Sequence, residues 1–451
     1  MSEQFIQIQK IFIALFIGLV LGFASSLVFN EQQASLIGII AFLVTLWTNE
    51  GLPLAVVSLM PIVLFPAFGI ISTKETSINY SNPIIYLFLG GFLLAIAVEK
   101  TGLHRYLAEK ILSIFPKTAR GIIFSLIVTS GLLSSILSNT TTTLLLLPIA
   151  VYLSDDVKLK MRFALAIAYG ASVGGIMTPI GTPPNLILLG IMQEHSLPMI
   201  PFFKWILMVA PLSLVMMIVV GSLLSLGVQN IVLQRDAHNF SLTKDQKKVV
   251  LILIGLMGML LINAPIRPYW NGLGFNESAM LLAAGLLLFI APFDILNWME
   301  DKEHIPYRIM FLFGAGFSIA DAFSKIGLAN ELAGYILQVT TLSPMLLILF
   351  VAVMITFTTE ITSNTALISI MLPVIYAVAQ QAGINTTLFM MIATICASYA
   401  FMLPIATPPN AIAMSSGAVH VKTMMKYGLV LNIVGIILVV LIAEFFWKNV
   451  L

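Results

Sequence analysis

Two short polar motifs, each set inside long apolar sequence, recur at one fixed offset. Ser138-Asn139-Thr140 returns as Ser363-Asn364-Thr365, and Thr182-Pro183-Pro184-Asn185 returns as Thr407-Pro408-Pro409-Asn410, both 225 residues later. Leu147-Pro148, Gly91-Phe92 and Gly102-Leu103 return in the same register as Leu372-Pro373, Gly316-Phe317 and Gly327-Leu328, with no gap. Chance supplies many matches between apolar stretches, but not two polar motifs in one register. A duplicated unit whose polar residues interrupt its own apolar runs leaves few folds open. In hydrocarbon, backbone outside a helix is tolerated only where it lines a cavity or packs in protein.

Composition places the repeat in a membrane. Hydrophobic residues make up 59% of the 451 and charged residues 9%, against about 25% charged in ordinary soluble proteins. So few charges cannot cover so apolar a core. The chain reads as an all-α polytopic membrane protein, with length for roughly ten to thirteen crossings and no room for a large water-soluble domain. Disorder, a secreted disulfide scaffold and nucleic-acid binding are excluded on the same grounds. The net charge of +2 advertises no acidic partner, and the single cysteine, Cys396, excludes disulfides or cysteine metal sites within one chain. The five histidines lie near segment ends without metal-ligand spacing. The apolar run from Lys10 to Phe29 reads as a first crossing rather than a cleavable signal peptide, because no clear small-x-small site follows a short hydrophobic stretch.

Apolar segments fall at 11–29, 33–48, 52–71, 83–99, 161–193, 203–227, 248–263, 276–292, 307–325, 386–418 and 427–447, about 11 transmembrane helices. Segments 161–193 and 386–418 are too long for simple spans, and Pro-Pro interrupts each as a broken helix. Two further blocks, 120–153 and 343–381, are split by the polar clusters around Asn139 and Asn364. Their arms are short for full crossings, so two re-entrant helical hairpins fit better. With the N-terminus cytoplasmic and both hairpins re-entrant, 17 of the 22 Lys and Arg fall on the cytoplasmic side. Only Lys74, Lys204, Arg267, Lys325 and Lys448 fall outside, together with the C-terminus. Reading either hairpin as one crossing spoils this bias. Segment 83–99 then runs inward and its copy 307–325 outward, so the repeats are inverted, the sequence mark of secondary transporters. The stretches 104–115 and 328–339 suit amphipathic interfacial helices, either plain connectors or arms joining a fixed part to a moving one.

The hairpin tips offer anion chemistry without cationic side chains. The second arm of each hairpin begins at its motif and points free N–H groups at the tip, and Pro suits the restart of each broken helix. No Lys or Arg lies between Arg120 and Lys158 or between Lys325 and Lys422. A buried anion there needs positive charge from elsewhere, and sodium is the natural candidate. Ser134 and Thr359, four residues before each motif serine, offer hard oxygens beside Asn139 and Asn364. Two such clusters imply at least two ions. Two intramembrane acids also stand out. Glu360, whose first-half counterpart is Ser135, tunes ion binding, carries a proton or orients the tip from behind; Asp321 caps a helix or faces an aqueous edge.

These residues resemble the divalent anion/sodium symporter family, the sodium-coupled dicarboxylate transporters. The resemblance covers nearly the whole chain. It rests on the paired Ser-Asn-Thr motifs, the paired Thr-Pro-Pro-Asn motifs preceded by Gly181 and Ala406, and Thr-Glu-x-Thr-Ser-Asn-Thr at 359–365. It implies a homodimer in a lipid bilayer, the bacterial inner membrane, working by an elevator mechanism. The scaffold would comprise 1–103 and 245–326, and the transport domain 119–228 and 343–451. It implies that Ser138, Asn139, Thr140, Ser363, Asn364 and Thr365 hold a small dicarboxylate, with Thr182, Pro183, Thr407 and Pro408 nearby. One sodium would meet Ser134, Asn139 and the carbonyls of Leu137 and Gly181. A second would meet Thr359, Asn364 and the carbonyls of Thr362 and Ala406. Complete Ser-Asn-Thr motifs put C4-dicarboxylates (succinate, fumarate, malate) first.

Alternatives within the transporter class are dicarboxylate exchange, proton coupling, or sulfate or citrate as substrate. An intramembrane enzyme would need a nucleophile with its base or paired acids. The histidines lie outside the expected core and the acids are unpaired, so no enzyme is expected. A passive anion channel would need one continuous pore, which two opposed hairpins argue against.

Overall fold

In the computed structural model, residues 3–228, 231–232, 241–265, 269–339 and 343–451 are described. Arg235 and Arg267, both counted in the charge bias, lie outside them. The elements of the described residues are all helices, and an isolated bridge joins Thr118 to Val232. Among the described residues five helices are long and apolar enough to cross a membrane alone, or six if Tyr307–Lys325 and Leu328–Leu337, bent by 72°, are taken as one span. The eleven apolar segments read from the sequence thus include helices that do not pass as full spans. Some are short, such as Glu277–Leu287, and 52–71 is divided into Leu54–Leu59 and Pro61–Ala67.

Both motif blocks are helix pairs. The first is Ala119–Ser134 followed by Asn139–Tyr152; the second is Pro344–Thr358 followed by Asn364–Gln381. At ~1.5 Å rise per residue, arms of 14 to 16 residues reach ~21–24 Å, short of the ~30 Å hydrocarbon core, and only Asn364–Gln381 is longer. Local chemistry sets the boundaries. Thr118 accepts a hydrogen bond from the Gly121 N–H at 3.1 Å, and Ser138 from the Thr141 N–H at 3.1 Å, so each supplies an N-cap. Pro344 opens its helix at a position where a missing N–H costs nothing.

The broken helices form the centre of the molecule. Val157–Gly175 and Pro183–Glu194 flank a break at 176–182, and Thr386–Ala397 and Pro408–Ser415 flank a longer break at 398–407. Every residue from Phe163 to Ile176 and from Thr387 to Phe401 is buried, which accounts for runs that are apolar on all sides. The Met390-Met391 pair and Phe313 and Phe317 are fully buried packing surface. The same packing recurs crosswise. Pro408–Ser415 packs against Asn139–Tyr152 and Val157–Gly175, while Pro183–Glu194 packs against Asn364–Gln381 and Thr386–Ala397. Each restarted helix therefore lies between two helices of the other half.

Close approaches differ between the halves. A Cβ on Gly174 would stand 2.5 Å from the Gly131 carbonyl carbon, so the first hairpin arm and its broken helix cross almost backbone to backbone. The residues 225 positions on are Thr356 and Tyr399, and the second half has no such glycine pair. Gly316 of helix Tyr307–Lys325 lies against Asn364–Gln381, where a Cβ would stand 2.5 Å from Ser369 Oγ.

Candidate functional site

The first cluster forms where a hairpin link meets a break. Ser134 ends the first arm, and its hydroxyl donates to Asn139 Oδ1 at 2.5 Å. Asn139 is the first residue of the second arm. Gly181 closes the far side, since a Cβ there would stand 2.9 Å from the Ser134 carbonyl oxygen and would overlap the Gly175 carbonyl. A Cβ on Gly175 would overlap Asn139 Oδ1 itself. Leu137 is buried in the link. The four residues expected around the first ion thus lie on two segments that meet. Ser138 is committed as the N-cap and also donates to Thr141 Oγ1 at 2.9 Å. Ser138, Asn139 and Thr140 are half-buried, Thr182 is buried and Pro183 is half-buried.

The second cluster repeats the hydroxyl-to-amide contact at equivalent positions. The Thr359 hydroxyl contacts Asn364 Oδ1 at 2.6 Å and the Ala397 carbonyl at 2.9 Å. A single hydroxyl hydrogen serves one of these at a time, so the second oxygen pair is held by a shared donor. Ser363 precedes its helix without a capping hydrogen bond and is exposed, Thr362 is half-buried, and Thr365 is buried with its carbonyl accepting from Ser369 at 2.9 Å. Ala406 and Thr407 are buried, Thr407 accepts from the Asn410 N–H at 3.4 Å, and Pro408 is exposed.

Several residues that matter here escaped the motif reading. The last residue of each Thr-Pro-Pro-Asn motif pins its break: Asn185 Nδ2 donates to the Thr178 carbonyl at 2.9 Å, and Asn410 Nδ2 to the Ala400 and Leu403 carbonyls, both at 3.0 Å. Thr178 and Leu403 are 225 residues apart, so this tie is common to both halves. Both asparagines are fully buried, and their Oδ1 atoms have no partner among the described residues. The recurrence of Asn in the motif was a usable signal. Gly175 had none, because its counterpart is Ala400. The Thr178 hydroxyl bonds the Ser135 carbonyl, tying the first hairpin link to the first break. Glu360 is buried, with its carboxylate bonded to the second break. Asp321 is half-buried and pairs with Lys325 at 3.1 Å and with Asn79 at 3.4 Å, and Lys325 also pairs with Glu75 at 2.9 Å.

The ligand chemistry of both clusters is all-oxygen: one hydroxyl, one amide oxygen and nearby carbonyls. Such hard donors fit an alkali cation. The first cluster is also a cradle that two added methyl groups would fill. Among the described residues no group of three His, Cys, Asp or Glu side chains converges as a metal site. His195 stacks on Tyr376 with ring centroids 4.0 Å apart, and His104 bonds the Val98 carbonyl at 3.2 Å. Neither joins a cluster.

A family model described as citrate transporter matches residues 39–393. The sodium-dependent dicarboxylate transporter SdcS of Staphylococcus saprophyticus is 30% identical over 456 aligned residues, covering 94% of this chain and 88% of the relative. Its namesake in Staphylococcus aureus is 30% identical over 478, covering 96% and 92%. Among solved structures, Neisseria gonorrhoeae MtrF, reported as illuminating a class of antimetabolite efflux pumps, aligns with a TM-score of 0.59 at 15% identity over 82% of each chain. The Alcanivorax borkumensis YdaH transporter aligns with a TM-score of 0.56 at 16% identity, over 82% of this chain and 87% of its own. At such identities these two structures speak to the fold alone.

Proposed function

The chain belongs to the citrate transporter family, and we propose that within it the protein is a sodium-coupled symporter of C4-dicarboxylates. It is an integral membrane transporter and not an enzyme, as its relatives are transporters. One observation carries the finer reading. The same oxygen pair recurs at equivalent positions, Ser134 with Asn139 at 2.5 Å and Thr359 with Asn364 at 2.6 Å. Packing residues under no common constraint would not keep one hydroxyl-to-amide contact in both halves.

Each pair, with the Leu137 and Gly181 carbonyls in one half and the Thr362 and Ala406 carbonyls in the other, holds one sodium ion. Ser138, Asn139, Thr140, Ser363, Asn364 and Thr365 then take the two carboxylates, with Thr182, Pro183, Thr407 and Pro408 alongside. N–H groups at the helix starts and the two bound cations balance the anion's two charges. The anion therefore binds well only after sodium, and this order couples the fluxes. Thermodynamic linkage makes the effect reciprocal.

The hairpins are re-entrant and the halves inverted. Residues 119–228 and 343–451 move as a transport domain against a scaffold of 1–103 and 245–326. Residues 104–115 and 328–339 act as interfacial arms. The unit is a homodimer in the bacterial plasma membrane, with the N-terminus cytoplasmic and the C-terminus outside. The crosswise packing of the restarted helices supports this arrangement, because it makes one body of the motif-bearing helices of both halves.

The family description favours citrate as a second reading. Isotope uptake by proteoliposomes across succinate, fumarate, malate, citrate and sulfate separates the two. Preference for the C4 acids supports the reading, and preference for citrate or sulfate overturns it. Cysteines at the two hairpin tips should crosslink; failure in every conformation would remove the shared site.

A further inference from the structure

The second break exposes a problem that the first does not have. In the first half the helix runs to Gly175, and the N–H groups of Ile176 and Met177 turn back to the Gly174 carbonyl, at 3.0 Å for Met177. In the second half the helix stops at Ala397, before the equivalent position Ala400, and the N–H groups of Phe401, Met402 and Leu403 come free in buried or half-buried surroundings. Unpaired N–H groups are costly where water is excluded.

Glu360 takes all three. Its Oε1 accepts from the Phe401 N–H at 2.8 Å, the Met402 N–H at 2.9 Å and Asn432 Nδ2 at 2.7 Å. Its Oε2 accepts from Met402 at 3.1 Å and from Leu403 at 3.0 Å. Every partner is a donor, which matches an acceptor-only carboxylate. Asn432 belongs to the long helix Val421–Ile442, so one side chain joins three segments: hairpin link, break and that helix. The first half fastens its link to its break differently, through the Thr178 hydroxyl and the Ser135 carbonyl. Positions 135 and 360, and 178 and 403, are equivalent under the 225-residue offset. One joint is therefore built twice with different chemistry.

We propose that Glu360 is a positioning residue for the second ion site. It follows Thr359 directly in the link, while the break it grips leads to Ala406 and Thr407. Closing the joint sets the Ala406 carbonyl against the Thr359–Asn364 pair; opening it lets the two sides of the site drift apart. The inference rests on the reading of that pair as a sodium site.

The test uses the full chain in detergent with two readouts besides transport: hydrogen exchange of the segment containing Phe401 to Leu403, and the sodium concentration giving half-maximal thermal stabilisation. Glu360→Gln keeps the size but turns an N–H₂ group toward backbone donors. Faster exchange in that segment is expected, with about a tenfold or greater rise in the sodium midpoint, the scale of losing charge-assisted hydrogen bonds. A second variant, Glu360→Asp, keeps the acceptor-only carboxylate but draws it back by one methylene. It should raise the sodium midpoint by less than Glu360→Gln does, because a charged acceptor still faces the Phe401, Met402 and Leu403 N–H groups. Unchanged exchange in Glu360→Gln, or faster exchange with an unshifted sodium midpoint, overturns the proposal. So does a Glu360→Asp midpoint as weak as that of Glu360→Gln; if Glu360→Gln does not fold, Glu360→Asp decides alone, and faster exchange there with an unshifted midpoint overturns the proposal. If the wild type itself shows no sodium response, the ion-site reading fails and this proposal with it. That case is recognised because wild type and variants then behave alike toward sodium.

Discussion

Gly175→Ala separates the ion-site reading from a packing reading with one methyl group. The added Cβ would overlap Asn139 Oδ1 and stand 3.2 Å from Asn139 Cγ, inside the roughly 3.5–4.0 Å of an ordinary carbon contact. The amide must retreat by about an ångström at its tip, ending its 2.5 Å contact with Ser134. For folding this is cheap. The displaced atom is the end of a side chain, and Ala gains up to about 1 kcal/mol over Gly in a helix, although Gly175 is the last helical residue and gains less. For a ligand shell it is expensive, since a misplacement of about 1 Å costs as much as ~100-fold in function. The variant should keep its melting temperature without sodium to within a few degrees. Its sodium midpoint for succinate uptake in proteoliposomes should rise by about 10- to 100-fold. Wild-type sodium dependence in a folded variant would refute the assignment of Asn139 Oδ1 as a ligand.

Other substitutions test separate links. Asn139→Ala and Asn364→Ala should each cut uptake more than about tenfold at saturating sodium with expression retained; normal uptake in both refutes the site. Asn410→Ala leaves the Ala400 and Leu403 carbonyls without the Asn410 amide, where Asn185→Ala strips only Thr178. It should cost about 1–3 kcal/mol in denaturant titration, more than Asn185→Ala, and the reverse order would contradict the pinning role. Gly316→Ala places a methyl 2.5 Å from Ser369 Oγ at the contact between the expected fixed and moving parts. Turnover should fall with the sodium midpoint unchanged, and adding Ser369→Ala should restore it; a shift in the midpoint instead would contradict a role in sliding.

The all-α membrane class was legible from composition, and the fixed offset aligned the two motif blocks. No soluble core tolerates so few charges, and Ser-Asn-Thr and Thr-Pro-Pro-Asn recur in one register 225 residues apart. The breaks were legible from Pro-Pro, which marks where a helix restarts but not where the preceding piece stops. Hence the early end at Ala397, before the position matching Gly175, escaped notice. Ser134 and Thr359 were readable because each precedes its motif by a fixed interval in both halves. Gly175, Thr178 and Asn432 were not. Their roles depend on which segments touch across the fold, and the offset gives them Ala400, Leu403 and Leu207 as equivalents, so repeat logic passes over them. Glu360 was visible as a lone intramembrane acid, but its partners are backbone N–H groups some forty residues on, which no side-chain pattern announces.

The most direct measurement is succinate accumulation in proteoliposomes under an imposed inward sodium gradient, compared with potassium. Two sodium ions entering with one divalent anion move no net charge. A tenfold gradient then supplies about 2.8 kcal/mol, enough for up to about hundredfold accumulation. The account predicts internal succinate well above the external concentration, collapsing when the gradient is dissipated and absent in Asn139→Ala. Succinate that only equilibrates, or accumulates equally with potassium, would contradict it.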